Sequence, residues 1–60
     1  MNRQQLHHEL HALGIPAIID GRYAVNKVLG KGGMGAVVRV QDNLQNQYAV
    51  KVMLPGKNQD

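Results

Sequence analysis

The sequence predicts an α+β fold in which an N-terminal helix is followed by a three-stranded antiparallel sheet. Three observations support this class. Leucines recur at helical spacing near the N-terminus, and valine-rich runs fill the second half of the chain. The segments between these runs are too short for crossover helices, so we expect the strands to pair as an antiparallel meander.

The helix is predicted over residues 2–13. Its apolar stripe has the i, i+4, i+7 spacing of one helix face: Leu6, Leu10 and Leu13. Asn2 is a suitable N-cap, and Gln5 stands at the capping-box position three residues further on. Gly14 favours a stop, and Pro16 prevents the helix from resuming.

Strands are predicted over residues 23–29, 36–40 and 48–54. The apolar period of the first strand is imperfect, which indicates either a β-bulge or a strand with apolar residues on both faces. Alternation in the third strand predicts one face with Tyr48, Val50 and Val52 and an opposite face with Ala49, Lys51 and Met53. Pro55 and Gly56 are expected to end this strand.

Irregular segments are expected between these elements. Residues 15–19 form an apolar connector, while residues 20–21 and 42–47 are turns. Glycine fills most of residues 30–35, so a loop without regular structure is expected there. We therefore divide the chain into a helical extension and connector (residues 1–22), the sheet (residues 23–54) and a polar tail (residues 55–60).

The charge, the cysteine content and the length of the apolar runs exclude several classes of protein. The 60 residues carry seven Lys/Arg and four Asp/Glu, for a net charge of +3. The positive charges are scattered rather than gathered in a stripe, so a dedicated nucleic-acid binder is not expected. The absence of cysteine excludes a disulfide framework and favours a cytoplasmic location. No apolar run approaches about 20 residues, so no membrane segment is expected.

Residues 30–35, Gly-Lys-Gly-Gly-Met-Gly, match the pattern G-x-G-x-x-G. A Walker A loop needs lysine and a hydroxyl residue after its last glycine, whereas Ala36 and Val37 follow here. A dinucleotide fingerprint needs a following helix and an acidic residue about 20 positions on, whereas a β-branched run follows and residue 51 is lysine. The remaining pattern, G-x-G-x-x-G-x-V, joins two strands over the phosphates of ATP, and Val37 occupies its last position.

A second motif follows in the order that this third pattern requires. The run Tyr-Ala-Val-Lys at residues 48–51 resembles V-A-I-K, whose lysine lies on the third strand of protein kinases. Residues 23–53 therefore resemble the first three strands of a eukaryotic-like serine/threonine protein kinase, the N-terminal part of its small lobe. The run Gly-Gly-Met-Gly is common in bacterial members of that family.

The resemblance implies an ATP site. Lys51 resembles the lysine that pairs with the α and β phosphates, Val37 and Ala49 resemble the residues against the adenine, and Leu29 resembles the residue that covers the purine. The expected ATP-binding residues are Leu29, Gly30, Lys31, Gly32, Gly33, Met34, Gly35, Val37, Ala49 and Lys51. The side chains of Lys31 and Arg39 are expected to be solvated.

Several parts of a kinase have no counterpart in these 60 residues. They are the catalytic-loop Asp and Asn, the magnesium-binding Asp of D-F-G, and the Glu that pairs with the lysine. No catalytic residue and no metal ligand are therefore expected here. We expect the chain to be a piece of a longer kinase, whose remainder holds magnesium and a protein substrate, or else a remnant of one.

Two further features leave alternatives open. A non-enzymatic chain would be a small interaction module, or a kinase remnant, that associates through its open sheet edge, and self-association is expected in either case.

His7 and His11 have the i, i+4 spacing at which two imidazoles can share a metal ion. No third ligand is evident, so we expect these residues and His8 to form a solvated helix face.

Overall fold

The computed structural model describes residues 2–53. Its elements, in chain order, are helix α1 (Arg3–Leu13) and strands β1 (Ile18–Ile19), β2 (Tyr23–Gly32), β3 (Gly35–Gln41) and β4 (Gln47–Met53). All neighbouring strands pair antiparallel, in the order β1-β2-β3-β4. The predicted α+β class is confirmed. The prediction that the third strand runs to Leu54 and is ended by Pro55 and Gly56 falls outside the described residues, as does the predicted tail of residues 55–60.

The predicted number of three strands is wrong, because the sheet has four. The sequence predicts a connector over Ile18 and Ile19, yet these residues pair with Ala24 and Tyr23 across a tight turn. Asp20, in that turn, has a φ of 57°. A strand of two residues is too short to produce an alternating pattern, so the sequence gives no periodic signal for it.

Local signals set both ends of α1. The side chain of Asn2 accepts a hydrogen bond from the backbone N–H of Gln5 at 2.8 Å, and the Gln5 side chain accepts one from the Asn2 backbone at 3.1 Å. Gly14 ends the helix in the left-handed conformation at a φ of 73°, which glycine adopts readily. The predicted capping box and the predicted stop are confirmed.

Helix α1 covers one face of the sheet, here called the helix face. The buried core lies between them and consists of Leu10, Ile15, Val25, Ala36, Val38 and Val40. Leu6 and Leu13 pack against this core, as do Val50 and Val52 of β4. Ala49, Lys51 and Met53 point to the opposite side, here called the open face, and are exposed. The predicted division of the third valine-rich strand into two faces is confirmed.

The pairing of β2 with β3 contains two irregularities. The register shifts between Val25 and Lys27 and again between Val28 and Gly30, which leaves Asn26 and Leu29 without a partner in the ladder. Of the two alternatives that the broken apolar period left open, a bulge or a two-sided strand, the structure has the bulge, and it has two of them. Because each bulge adds one residue to β2, the valines on either side of it stay on the helix face.

The prediction of an irregular loop over residues 30–35 is wrong in its extent. Gly30 pairs with Val37, Lys31 with Ala36, and Gly32 with Gly35, so β2 and β3 continue through the glycines. Only residues 33 and 34 form the turn. Ladder hydrogen bonds come from the backbone, and β4 pairs with β3 along the same stretch, so the pairing does not depend on side chains here. Residues 30–35 are called the glycine hairpin below.

Observed strand ends differ from the predicted ones by small amounts elsewhere. Strands β3 and β4 each begin one residue earlier than predicted, and the turn between them is correspondingly shorter. No helix in residues 2–53 is both long enough and apolar enough to cross a membrane.

Candidate functional site

A cleft of about 400 Å³ lies at the glycine hairpin. It is lined by Gly30, Lys31, Gly32, Gly33, Met34, Gly35, Ala36, Val37 and Lys51. The fold therefore brings the two sequence motifs to one place, since the hairpin supplies most of the lining and β4 supplies the lysine. Of the residues that the sequence predicted for the site, Leu29 and Ala49 do not line this cleft.

Lys51 is placed by the register of β3 and β4. It lies directly opposite Val37, on the open face, and its side chain is exposed. Ala49 lies two residues earlier on the same face, opposite Arg39. The sequence predicted that Ala49 and Lys51 share a face, and the structure confirms that placement.

The glycines of the hairpin are of two kinds. A β-carbon added to Gly30, Gly32 or Gly33 would meet no atom within 4 Å. A β-carbon added to Gly35 would collide with the backbone carbonyl of Val52. Gly35 is therefore required by the close approach of β3 to β4, whereas the packing of the described chain leaves room for a side chain at the other three positions.

Lys31 belongs to the helix face. It lies opposite the buried Ala36, and its ammonium forms an ion pair with Glu9 of α1, with Nζ 2.8 Å from Oε2. The Lys31 side chain is 57% exposed, as the expectation of solvation requires, but it is held by a partner. Glu9 was missed by sequence reasoning, although its position three residues after Leu6 places it beside the apolar stripe of the helix.

Leu29 and Met34 present apolar surface at the hairpin. Leu29 is the unpaired residue of the second bulge and is 48% exposed, and Met34 lies in the turn and is 74% exposed. Neither side chain belongs to the core of the described residues. Met34 lines the cleft and is free to contact a molecule bound there, whereas Leu29 lies outside the lining.

Three cations lie on the open face of the sheet. Lys27 and Arg39 lie opposite each other, and Lys51 is diagonal to Arg39. In residues 2–53 the only salt bridge is the one between Lys31 and Glu9. The face is thus electrostatically suited to an anion.

Arg39 departs from the expectation of solvation. It is half-buried, and its Nε donates a hydrogen bond to Oδ1 of Asn26 at 2.8 Å. The Asn26 amide in turn donates to Oε1 of Gln41 at 3.3 Å. This polar chain crosses from the first bulge to the end of β3, and it holds the guanidinium against the sheet.

Asp42 organises the turn between β3 and β4. Its carboxylate accepts hydrogen bonds from the backbone N–H groups of Leu44 and Asn46, both at 2.9 Å, and from the Tyr48 hydroxyl at 3.3 Å. Desolvation acts to raise the pKa of Asp42, but these hydrogen bonds outweigh it and lower the pKa below its usual value. Desolvation and the Asp42 charge raise the pKa of Tyr48.

The histidines lie away from the hairpin cleft. His7 and His11 line a shallow groove of about 200 Å³ together with Leu10, Ile15 and Ala17. Within residues 2–53 no group of three His, Cys, Asp or Glu side chains is placed to hold a metal ion.

Comparison of the chain with protein-family models, with curated proteins and with solved structures finds no match.

Proposed function

We propose that the chain is the ATP-binding N-terminal segment of a serine/threonine protein kinase. The observation that carries this proposal is the open space at Gly30, Gly32 and Gly33 beside Lys51. Packing within the described chain does not demand glycine at these positions. A phosphate group that hydrogen-bonds to backbone N–H groups does, because a β-carbon would keep it at a distance.

The open face offers the two kinds of surface that a nucleotide needs. Val37 and Ala49 supply small apolar surface for a purine ring, and Lys51 supplies a point charge for phosphate oxygens. Leu29 and Met34 add exposed apolar surface on the hairpin side. Since Val37 lies opposite Lys51, base and phosphates would lie along one strand pair.

In this proposal the residues of the chain bind and orient ATP and do not transfer the phosphoryl group. Carboxylates of the described part are engaged or distant from the cleft lining: Glu9 is ion-paired, Asp42 holds a turn, and Asp20 lies in the turn after β1. A full-length parent would supply the magnesium ligands and the catalytic loop, and would transfer the γ-phosphoryl group to serine or threonine of a protein substrate. A cytoplasmic location is part of the proposal.

The test is the affinity of the chain for ATP and its dependence on Lys51. For these 60 residues we expect a Kd on the order of millimolar, because residues 2–53 supply only one wall of a nucleotide site. Lys51→Ala removes a charge-assisted contact worth about 1.5–3 kcal/mol, so binding should weaken by about 10-fold or more. Saturation-transfer NMR on the ATP resonances measures this loss.

Lys27→Ala is the matched control for this test. It removes the same charge from the same face, but Lys27 does not line the cleft. We expect it to weaken ATP binding only slightly, through long-range attraction that salt screens. Equal losses for the two variants would contradict a specific role for Lys51.

A second candidate function is favoured by the outer edge of β4. In residues 2–53 no strand pairs with that edge, and Tyr48 and Met53 of this strand are exposed. A strand from another chain could add there, which would make the chain an interaction module or a kinase remnant. The ATP titration separates the two candidates, since an interaction module has no need of Lys51.

A further inference from the structure

We infer that Glu9 of α1 is a positioning residue for the glycine hairpin. Its ion pair with Lys31 ties the hairpin to the helix and limits the motion of the backbone that would bind phosphate. The inference deepens the proposed function and rests on it for its effect on ATP. Its structural half, the ordering of the hairpin, is measurable without any nucleotide.

The hairpin has little else to hold it. Every residue from 29 to 34 is exposed, although Gly35 is buried, and Val28 is the last residue of β2 that packs against the core. Strand β4 pairs with β3 only as far as Gly35, so residues 30–34 of the hairpin have no ladder partner other than β3. Among the described residues, the Lys31–Glu9 bond is the only side-chain hydrogen bond or ion pair that joins the hairpin to another element.

Glu9, the partner of Lys31 in this ion pair, lies on a helix that packs against the core. Leu10, the neighbour of Glu9, is 2% exposed, and Leu6 and Leu13 pack on the same core. The Glu9 side chain itself is 21% exposed, against 57% for Lys31. Glu9, on a packed helix, therefore restrains Lys31, on a weakly packed hairpin.

The direction in which Glu9→Gln changes the ATP affinity distinguishes a positioning role of Glu9 from a purely electrostatic one. Glu9→Gln makes the chain one unit more positive, which by Coulomb attraction alone would strengthen ATP binding. Loss of the restraint acts in the opposite direction, because the free hairpin must be ordered when the ligand binds. Exposed ion pairs are worth little, so we expect ATP binding to weaken by about 2- to 5-fold.

The experiment compares amide hydrogen exchange and ATP affinity in the full chain and its variants. In the nucleotide-free protein, Glu9→Gln should speed exchange of the backbone amides of residues 31–36, while the amides of Val38 and Val40 keep their protection. ATP affinity should fall in the same variant. His8→Gln, at an exposed neighbouring position on α1, is the matched control and should change neither quantity.

The double variant Glu9→Lys, Lys31→Glu reverses the pair and should restore protection of the hairpin amides. Unchanged exchange in Glu9→Gln, tighter ATP binding in that variant, or no recovery in the reversed pair would each overturn the inference. If the exchange results come out as expected and the wild-type chain binds no ATP, the tie between helix and hairpin stands and the proposed function fails.

Discussion

The glycines of the hairpin differ in whether the packing of the described chain requires them. Gly35 lies where β3 passes so close to β4 that a β-carbon would strike the Val52 carbonyl. Gly32 is its direct partner across the hairpin, and a β-carbon there meets nothing. The pattern G-x-G-x-x-G treats both as members of one motif, but only Gly35 has a reason for being glycine within the described chain.

This difference predicts opposite effects of alanine at the two positions. Gly35→Ala should lower the free energy of unfolding by about 1–3 kcal/mol, the usual cost of forcing extra atoms into a packed site. Gly32→Ala should leave it unchanged or raise it by up to about 1 kcal/mol, because alanine restricts the unfolded chain. Urea unfolding measures both. Similar losses in the two variants would contradict the distinction, and weaker ATP binding is expected of Gly32→Ala if its backbone contacts phosphate.

At the scale of elements, the connection from β3 to β4 depends on Asp42. Its carboxylate accepts hydrogen bonds from the backbone N–H groups of Leu44 and Asn46. The backbone N–H of Asp42 donates a hydrogen bond to the Asn46 carbonyl at 3.0 Å. Gln45, within the turn, has a φ of 68°. Since β4 carries Lys51, this turn sets the register that places the lysine opposite Val37.

The lowered pKa of Asp42 predicts a pH dependence of stability. A carboxyl whose pKa is lower in the folded state stabilises the fold above its unfolded pKa, about 3.8 for Asp42, and loses that contribution as the pH falls through its folded value. The thermal midpoint should therefore drop between about pH 5 and about pH 3. Asp42→Asn should reduce this drop, and thermal unfolding followed by circular dichroism measures it.

Asp20→Asn is the control for the pH series. Asp20 also lies in a turn, and asparagine tolerates its positive φ. This variant should retain the wild-type drop in the thermal midpoint. If Asp42→Asn also retains it in full, the hydrogen bonds of the turn do not account for the acid sensitivity.

The elements also differ in how far the sequence predicts them. Helix α1, its capping box and its glycine stop are specified by residues within a few positions of each other, so local signals suffice. The bulges and the two faces of β4 follow from the positions of the valines. Strand β1 was not predicted, because two residues form no periodic pattern. The glycine content of residues 30–35 predicts an irregular loop, but backbone pairing extends β2 and β3 into this segment.

Long-range contacts explain what sequence reasoning missed at the candidate site. Glu9 and Lys31 are separated by 22 positions, so no local pattern joins them. The collision that demands glycine at residue 35 involves Val52, on another strand. Most of the cleft residues were predictable, because the glycines adjoin along the chain and a strand alternates its faces, but Leu29 and Ala49 lie outside the lining and Ala36 was not predicted.

At the scale of the whole molecule, one side of the sheet is covered and the other is open. Helix α1 and the core occupy the helix face, Lys27, Arg39 and Lys51 lie on the open face, and the cleft lies at the end of the sheet that carries the glycine hairpin. The outer edge of β4 has no partner among residues 2–53. Such an edge, with exposed Tyr48 and Met53 on its strand, is prone to pairing with other chains.

We therefore predict concentration-dependent self-association or partial unfolding of the chain. Sedimentation equilibrium over a wide concentration range, with circular dichroism of the same samples, measures both. Met53→Lys places a charge on the exposed edge strand and should reduce association, whereas Met34→Lys, in the hairpin turn, should not. A compact monomer at every concentration would contradict this prediction.

The most direct test of the central claim is a titration of the chain with ATP, followed through the backbone amide shifts. Binding at the glycine hairpin predicts saturable shifts in residues 30–35 and at Lys51, because phosphate oxygens would contact those amides and that ammonium. Adenosine, which has no phosphate, should shift chiefly the amides near Val37 and Ala49. Shifts confined to the helix that carries His7 and His11, or shifts that Lys51→Ala leaves unchanged, would contradict the account.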